Sequence, residues 1–248
     1  MKGTIGGLSQ VLSKKQNDSR TETAQEPTIT GYKFVSGDLR SYEGDRSQWT
    51  PGVMLTYNGE VEPGSRGFHA SYNLYSAFNN NPGDRLFEVE ARGVLYGRGY
   101  MFAAKEMMLT REIDLKSLSV EYAIGCARHL LPNFEKKYPN DALPRKAIEA
   151  AENWLKEPTE ENRISARSIA WSFPSVVHSD LAADWCAGSA AWFAGSAALA
   201  AAESAARSAA ESVALSSQYT DYSYTAYSAT EEKWRANLLE ELVKKHYL

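Results

Sequence analysis

The octapeptide Gly64-Ser65-Arg66-Gly67-Phe68-His69-Ala70-Ser71 carries the residue types best suited to chemistry. On an extended segment side chains alternate, so His69 and Ser71 share one face, and Arg66 lies in the Gly-rich turn ahead of them. Glu88 and Glu90 share a face of a later segment in the same way. A histidine meeting a glutamate in a cleft can transfer protons or hold a nucleotide. Arg66, His69, Ser71, Glu88 and Glu90 are therefore the candidate ligand-binding set. The plainer reading, which we favour, is that a partly buried His69 pins its turn by a hydrogen bond.

Other constellations carry less. Cys126 and His129 stand three residues apart on an expected helix, a spacing that serves thiolate activation and ordinary core packing alike. The histidines are His69, His129, His178 and His246, with no pair four residues apart and no cysteine at ligand spacing, so no metal site is expected. Cys126 and Cys186 are too few for a disulfide framework. Gly97-Arg98-Gly99 is a lone glycine turn without a phosphate-binding context. No catalytic residue is assigned and no cofactor is expected.

The elements that must position these residues fall into three parts. Residues 1–28 are rich in Gly, Ser, Gln, Asn and Thr and read as a flexible arm. Residues 29–116 read as a small antiparallel β-rich domain, with strands expected at Tyr32–Val35, Gly52–Tyr57, Gly67–Ala70, Leu86–Leu95 and Met107–Ile113. In Leu86–Ala91, alternation puts Leu86, Glu88 and Glu90 on one face and Phe87, Val89 and Ala91 on the other. Asn73–Phe78 suits a short helix ending at an Asn-rich Pro82-Gly83 turn.

Residues 117–248 read as an Ala-rich α-helical bundle, which makes the fold class α+β. Ser117 is placed as the cap of a helix carrying Leu118, Tyr122, Cys126 and Leu130, and Pro132 as its limit, followed by a short helix over Asn133–Tyr138. A further helix starts near Pro144 with Ile148, Ala151, Trp154 and Leu155 facing inward, and Thr159 caps the next. Between Ala182 and Ala214, 16 of 33 residues are alanine. Ala187–Ala191 recurs as Ala194–Ala198, and a four-residue unit follows from Glu203. A strict four-residue repeat drifts about 40° per unit, so its small stripe winds round the helix and suits contact with several neighbours. The last helix is capped at Thr230 and packs through Trp234, Leu238, Leu239, Leu242 and Val243. Tyr219, Tyr222, Tyr224 and Tyr227 cluster just before it, as bundle filler or as a partner-binding surface.

Composition narrows the function classes. The 248 residues carry 27 Lys+Arg against 31 Asp+Glu, a net charge of −4, so the basic excess of a nucleic-acid binder is missing. Trp185–Ala202 is free of charge but mostly Ala, Gly and Ser, which gain little from hydrocarbon, so a membrane span is not expected. With no signal-peptide pattern at its start, the chain is expected in the cytoplasm of a bacterial host.

Two stretches resemble known families. Gly67, Phe68, His69, Ala70, Ser71, Pro82, Gly83, Val89, Glu90, Gly93, Ala104, Lys105, Arg111 and Ile113 resemble an uncharacterised family common in bacteriophages and prophages. Cys126, Ala127, Leu131, Pro132, Phe134, Glu135, Pro139, Asp141, Pro144, Arg145, Ala147, Ile148, Ala150 and Ala151 are similar to helical immunity-type proteins of bacterial polymorphic-toxin loci, where Arg usually stands at the place of Leu143. The resemblance implies a phage-type accessory protein that binds a host or toxin protein, in immunity or counter-defence, without catalysis. One alternative is a nucleotide-binding domain whose cleft around His69 resembles ADP-ribosyltransferase-like folds; another is a structural virion-associated protein that self-associates as a homo-oligomer.

Overall fold

The computed structural model describes residues 27–42, 46–79, 82–97, 99–172, 185–203, 209–211, 213 and 225–247. The elements run β1 (Ile29–Val35), β2 (Leu55–Thr56), β3 (Phe68–Ser71), α1 (Leu74–Asn79), β4 (Arg85–Tyr96), β5 (Met101–Ile113), α2 (Leu115–Lys137), α3 (Leu143–Lys156), α4 (Glu160–Ser172), α5 (Trp185–Ala202) and α6 (Thr225–Tyr247). The fold is α+β: an antiparallel sheet region, then helices. The expected arm lies outside the described residues up to position 26, as does most of the repeat after Glu203.

The strands lie in the order β2-β5-β3-β1-β4, and β4 pairs again with β5, so the sheet closes into a small barrel. Closure hides strand edges. Two local devices bend the long β4–β5 hairpin. Glu88 faces Arg111 while Val89 faces Leu109, which leaves Thr110 as a bulge, its hydroxyl donating to the Glu88 carbonyl at 3.0 Å. Gly93 sits at φ 58°, a left-handed conformation that resets the alternation, so Ala91 and Val94 both pack into the barrel core. That core holds Val35, Trp49, Phe68, Phe87, Val89, Phe102, Met107 and Leu109. Trp49 comes from outside the strands, and its indole N–H donates to the buried Ser41 hydroxyl at 2.9 Å. β2 is shorter than expected and β5 begins six residues earlier than the apolar run at Met107. The early half of β5, Met101-Phe102-Ala103-Ala104-Lys105-Glu106, lacks the alternation of apolar and polar residues, which hides its strand character.

α2 corrects three expectations. Its cap is Asp114, not Ser117; the Asp114 carboxylate accepts the Ser117 amide N–H at 3.1 Å and the Ser117 hydroxyl at 2.7 Å. The helix does not stop at Pro132 but runs to Lys137, absorbing the separate short helix. Pro132 is exposed, so the lost bond and the crowding fall on the solvent face, while Leu131 and Phe134 stay buried. α2 accordingly begins at Leu115, two residues before the expected start. Pro144 stands in the first turn of α3 and Thr159 caps α4, its hydroxyl accepting the Asn162 amide N–H at 3.3 Å. α6 begins at Thr225, five residues before the expected cap.

α5 is the centre of the helical half, packed against α2, α3 and α4. Ala194, Ala197, Ala198, Ala200 and Ala201 are fully buried and cover an arc wider than one stripe, while Gly195 and Leu199 on the remaining side are partly buried. Alanine alone lets three backbones approach one helix from different sides. At its C-terminal end the Arg163 guanidinium donates to the Ala202 carbonyl at 3.0 Å, a cation on the negative end of the helix dipole. Opposite α5, α2 receives α6: a side chain on Gly125 would meet Leu238 at 2.6 Å, His129 stacks on Trp234 with centroids 4.0 Å apart, and Lys245 reaches Glu121 at 3.5 Å. Leu74, Phe78, Leu86 and Ile113 from the outside of the barrel join Leu118 and Tyr122 of α2 in one apolar cluster, distinct from the cluster inside the barrel.

Candidate functional site

The barrel puts His69 and Ser71 on its outer face, between the inward-facing Phe68 and Ala70. Register then decides what each one meets. Ser71 lies opposite Tyr32, Tyr32 opposite Glu88, and Glu88 opposite Arg111, so these four form one row across β3, β1, β4 and β5. Glu88 is bound across the row by Arg111, through Nε at 3.1 Å and Nη2 at 2.5 Å. Ser71 is buried at the other end.

His69 stands outside this row. β1 lies between β3 and β4, so neither Glu88 nor Glu90 is its strand neighbour; Ala103 of β5 is. Its Nε2 accepts the Gly64 amide N–H at 2.9 Å, which places the ring proton on Nδ1 in the neutral form. The side chain thereby anchors the turn between Glu62 and Arg66. Arg66 is itself tied to Glu62, with Nη2 to Oε2 at 3.0 Å. Beneath the turn, the Lys33 ammonium donates to the His69 carbonyl at 2.7 Å and lies 5.5 Å from the Trp49 ring centre. Lys33 thus plugs the barrel where β1 and β3 share a single register pair. Glu90 pairs with Thr30 and Met108, one step along β4 from the row.

The sequence set is therefore divided: Ser71 and Glu88 stand in one row with Tyr32 between them, while His69 and Arg66 each serve the turn. Tyr32, Lys33 and Trp49 were missed. Tyr32 and Lys33 read as ordinary strand residues, and only register reveals that Tyr32 joins a polar row. Cys126 is buried whereas His129 is exposed and stacks on Trp234, so each has a different setting on α2. Tyr219, Tyr222 and Tyr224 lie outside the described residues, and Tyr227 falls within α6. No group of three His, Cys, Asp or Glu that could hold a metal occurs among the described residues. None of the described helices is long and apolar enough to cross a membrane.

Half-burial pushes the Tyr32 phenol above its usual range, and the negative charges of Glu88 and of Glu240 on α6 push the same way, opposed by Arg111. A phenol raised on folding favours the native state while it stays protonated. Its contribution is whole below the ordinary tyrosine range and disappears as pH rises through the raised folded value. Tyr32→Phe should therefore lose less stability than the wild type between about pH 9 and pH 11, near and above the free tyrosine pKa of about 10. Urea midpoints at the two pH values measure it; identical losses in both proteins would contradict the assignment.

A separate open cleft of about 450 Å³ lies beside β2, lined by Ser47, Gln48, Leu55, Thr56, Tyr57, Asn58, Gly59 and Phe68. It contains none of the sequence-predicted site residues.

Two family models match the chain. Residues 29–121 match a domain of unknown function (DUF7666), and residues 115–233 match a family of unknown function (DUF6931). The two matches overlap in the first turns of α2, where the barrel passes into the helices. No curated protein and no solved structure matches the chain.

Proposed function

We propose that the chain is a phage-type accessory protein that works by binding a host or toxin protein, in immunity or counter-defence, without catalysis. The observation that carries this reading is the outer face of α4. Trp171 is 80% exposed and Ile164 is 51% exposed, seven residues apart and so on one face, in a helix whose single fully buried residue is Ala166. Large apolar side chains grouped on a surface mark interaction sites, and tryptophan is the residue most enriched among binding hot spots. The occupied state of His69, Arg66 and Glu88 supports the non-catalytic part: their polar atoms serve the turn and the Arg111 pair.

Capture of partners from the natural host by the full chain tests the proposal. Trp171→Ala combined with Ile164→Ala should weaken capture at least tenfold, the effect of about 1.4 kcal/mol at a hot spot. His69→Ala, Ser71→Ala and Glu90→Ala together should leave it intact. Wild-type capture by the α4 double variant, or loss of activity from His69→Ala with folding unchanged, would sink the proposal.

A further inference from the structure

We infer that the cleft beside β2 binds an extended, uncharged peptide segment by strand addition. β2 is the edge of the sheet, since it pairs with β5 and with no other strand. The Tyr57 amide donates to the Lys105 carbonyl at 2.8 Å, and Thr56 lies opposite Glu106. In an antiparallel pair the bonded positions alternate. The Thr56 N–H and C=O are therefore turned away from β5, toward the cleft.

The opposite wall has the same property. Gln48 faces Arg40 across an isolated antiparallel bridge, flanked by the Ser41 amide donating to the Ser47 carbonyl at 3.1 Å and the Trp49 amide donating to the Leu39 carbonyl at 2.8 Å. The same alternation turns the Gln48 N–H and C=O away from Arg40. Among the described residues neither Thr56 nor Gln48 has a backbone hydrogen bond on its outward side.

Two strand edges thus flank one space of about 450 Å³, within the ~300–1,000 Å³ of ligand pockets. Its apolar lining is Leu55 with the rings of Tyr57 and Phe68, which meet edge-on at 6.1 Å. Its polar lining is hydroxyl and amide: Ser47, Gln48, Thr56 and Asn58, with no charged side chain among the described residues. Neutral walls complement a neutral guest, because an unpaired charge in the cleft would lose hydration without compensation. A peptide backbone in β conformation supplies the alternating donors and acceptors that such edges take, and its inward side chains meet the apolar lining. The proposal deepens the reading that this chain acts by binding a protein, and gives that protein's recognised segment a shape.

A displayed library of random heptapeptides panned on the full chain supplies the probe. The enriched peptides are then made singly N-methylated at every position. Methylation should cut affinity at least tenfold at two adjacent residues, whose amides face the Thr56 and Gln48 edges in turn, and leave residues beyond the cleft within twofold. Thr56→Pro should cut affinity at least tenfold with the melting temperature nearly unchanged, since its N–H does not serve β5. The α4 double variant should bind these peptides as the wild type does. No enrichment, methylation losses that are absent or spread evenly over the peptide, or unchanged affinity in Thr56→Pro would each overturn the proposal. These failures leave the α4 reading standing if Trp171 and Ile164 still control capture, and the converse result separates the two in the other direction.

Discussion

Gly31→Ala is expected to destabilise the protein by about 3 kcal/mol, the upper end of what overpacking a core costs. Gly31 lies on β1 beside the one register pair that joins β1 to β3. A β-carbon there would stand 2.7 Å from the Ser71 carbonyl oxygen and 2.7 Å from the edge of the Phe102 ring. The ring could tilt. The carbonyl cannot, because Ser71 is held by its pairing with Met101 on the other side of β3. The backbone clash therefore dominates, and Gly31→Ala with Phe102→Leu should recover only a minor part of the loss. The outside of the barrel packs into the helical core, so the loss should appear as one transition shifted down by about 6–12 °C. A shift under about 2 °C, or full rescue by Phe102→Leu, would show that the strands do not approach as closely as described.

Ala198→Leu should cost a similar amount, again about 3 kcal/mol. Ala198 is fully buried on α5, and Ala194, Ala197, Ala200 and Ala201 are fully buried around it. Ala198 itself is fully buried where α2, α3 and α4 pack on α5, so rotamer changes cannot carry the extra carbons to solvent. They must push a neighbouring backbone outward or adopt a strained rotamer. Glu149→Leu on the exposed side of α3 is the control and should change stability by less than about 0.5 kcal/mol. Urea midpoints compare the two. Equal effects would mean that α5 is not the hub of the bundle.

The same two sites show where legibility ends. The glycine at 31 reads in sequence as a weak point in a strand, and nothing near it names Ser71 or Phe102 as its neighbours. The alanine repeat is different. Its composition alone implies a helix, which α5 displays, whereas the four-residue repeat from Glu203, whose winding stripe implies several neighbours, lies mostly outside the described residues. Asp114 was passed over as a cap because Ser117 is an equally good capping type three residues later, and one turn of backbone geometry chose between them. Pro132 was taken as a stop because a proline breaks a helix unless its face is solvated, and facing is a tertiary property. The pairing of His69 with a glutamate failed for a similar reason. Alternation gives the face of each residue but not the order of strands, and β1 came to lie between them.

What the residues determined by themselves is local: strand and helix periods, caps and turns, the face on which His69, Ser71, Glu88 and Glu90 lie, and the absence of a basic surplus. Those properties depend on neighbours a few positions away. Tertiary structure alone decided that the barrel closes, that Ser71, Tyr32, Glu88 and Arg111 form one row, that Trp171 and Ile164 face outward, and that Thr56 and Gln48 confront each other across a cleft. Each of these depends on which distant segments meet and in what register, and a one-residue slip in register would reverse every face involved.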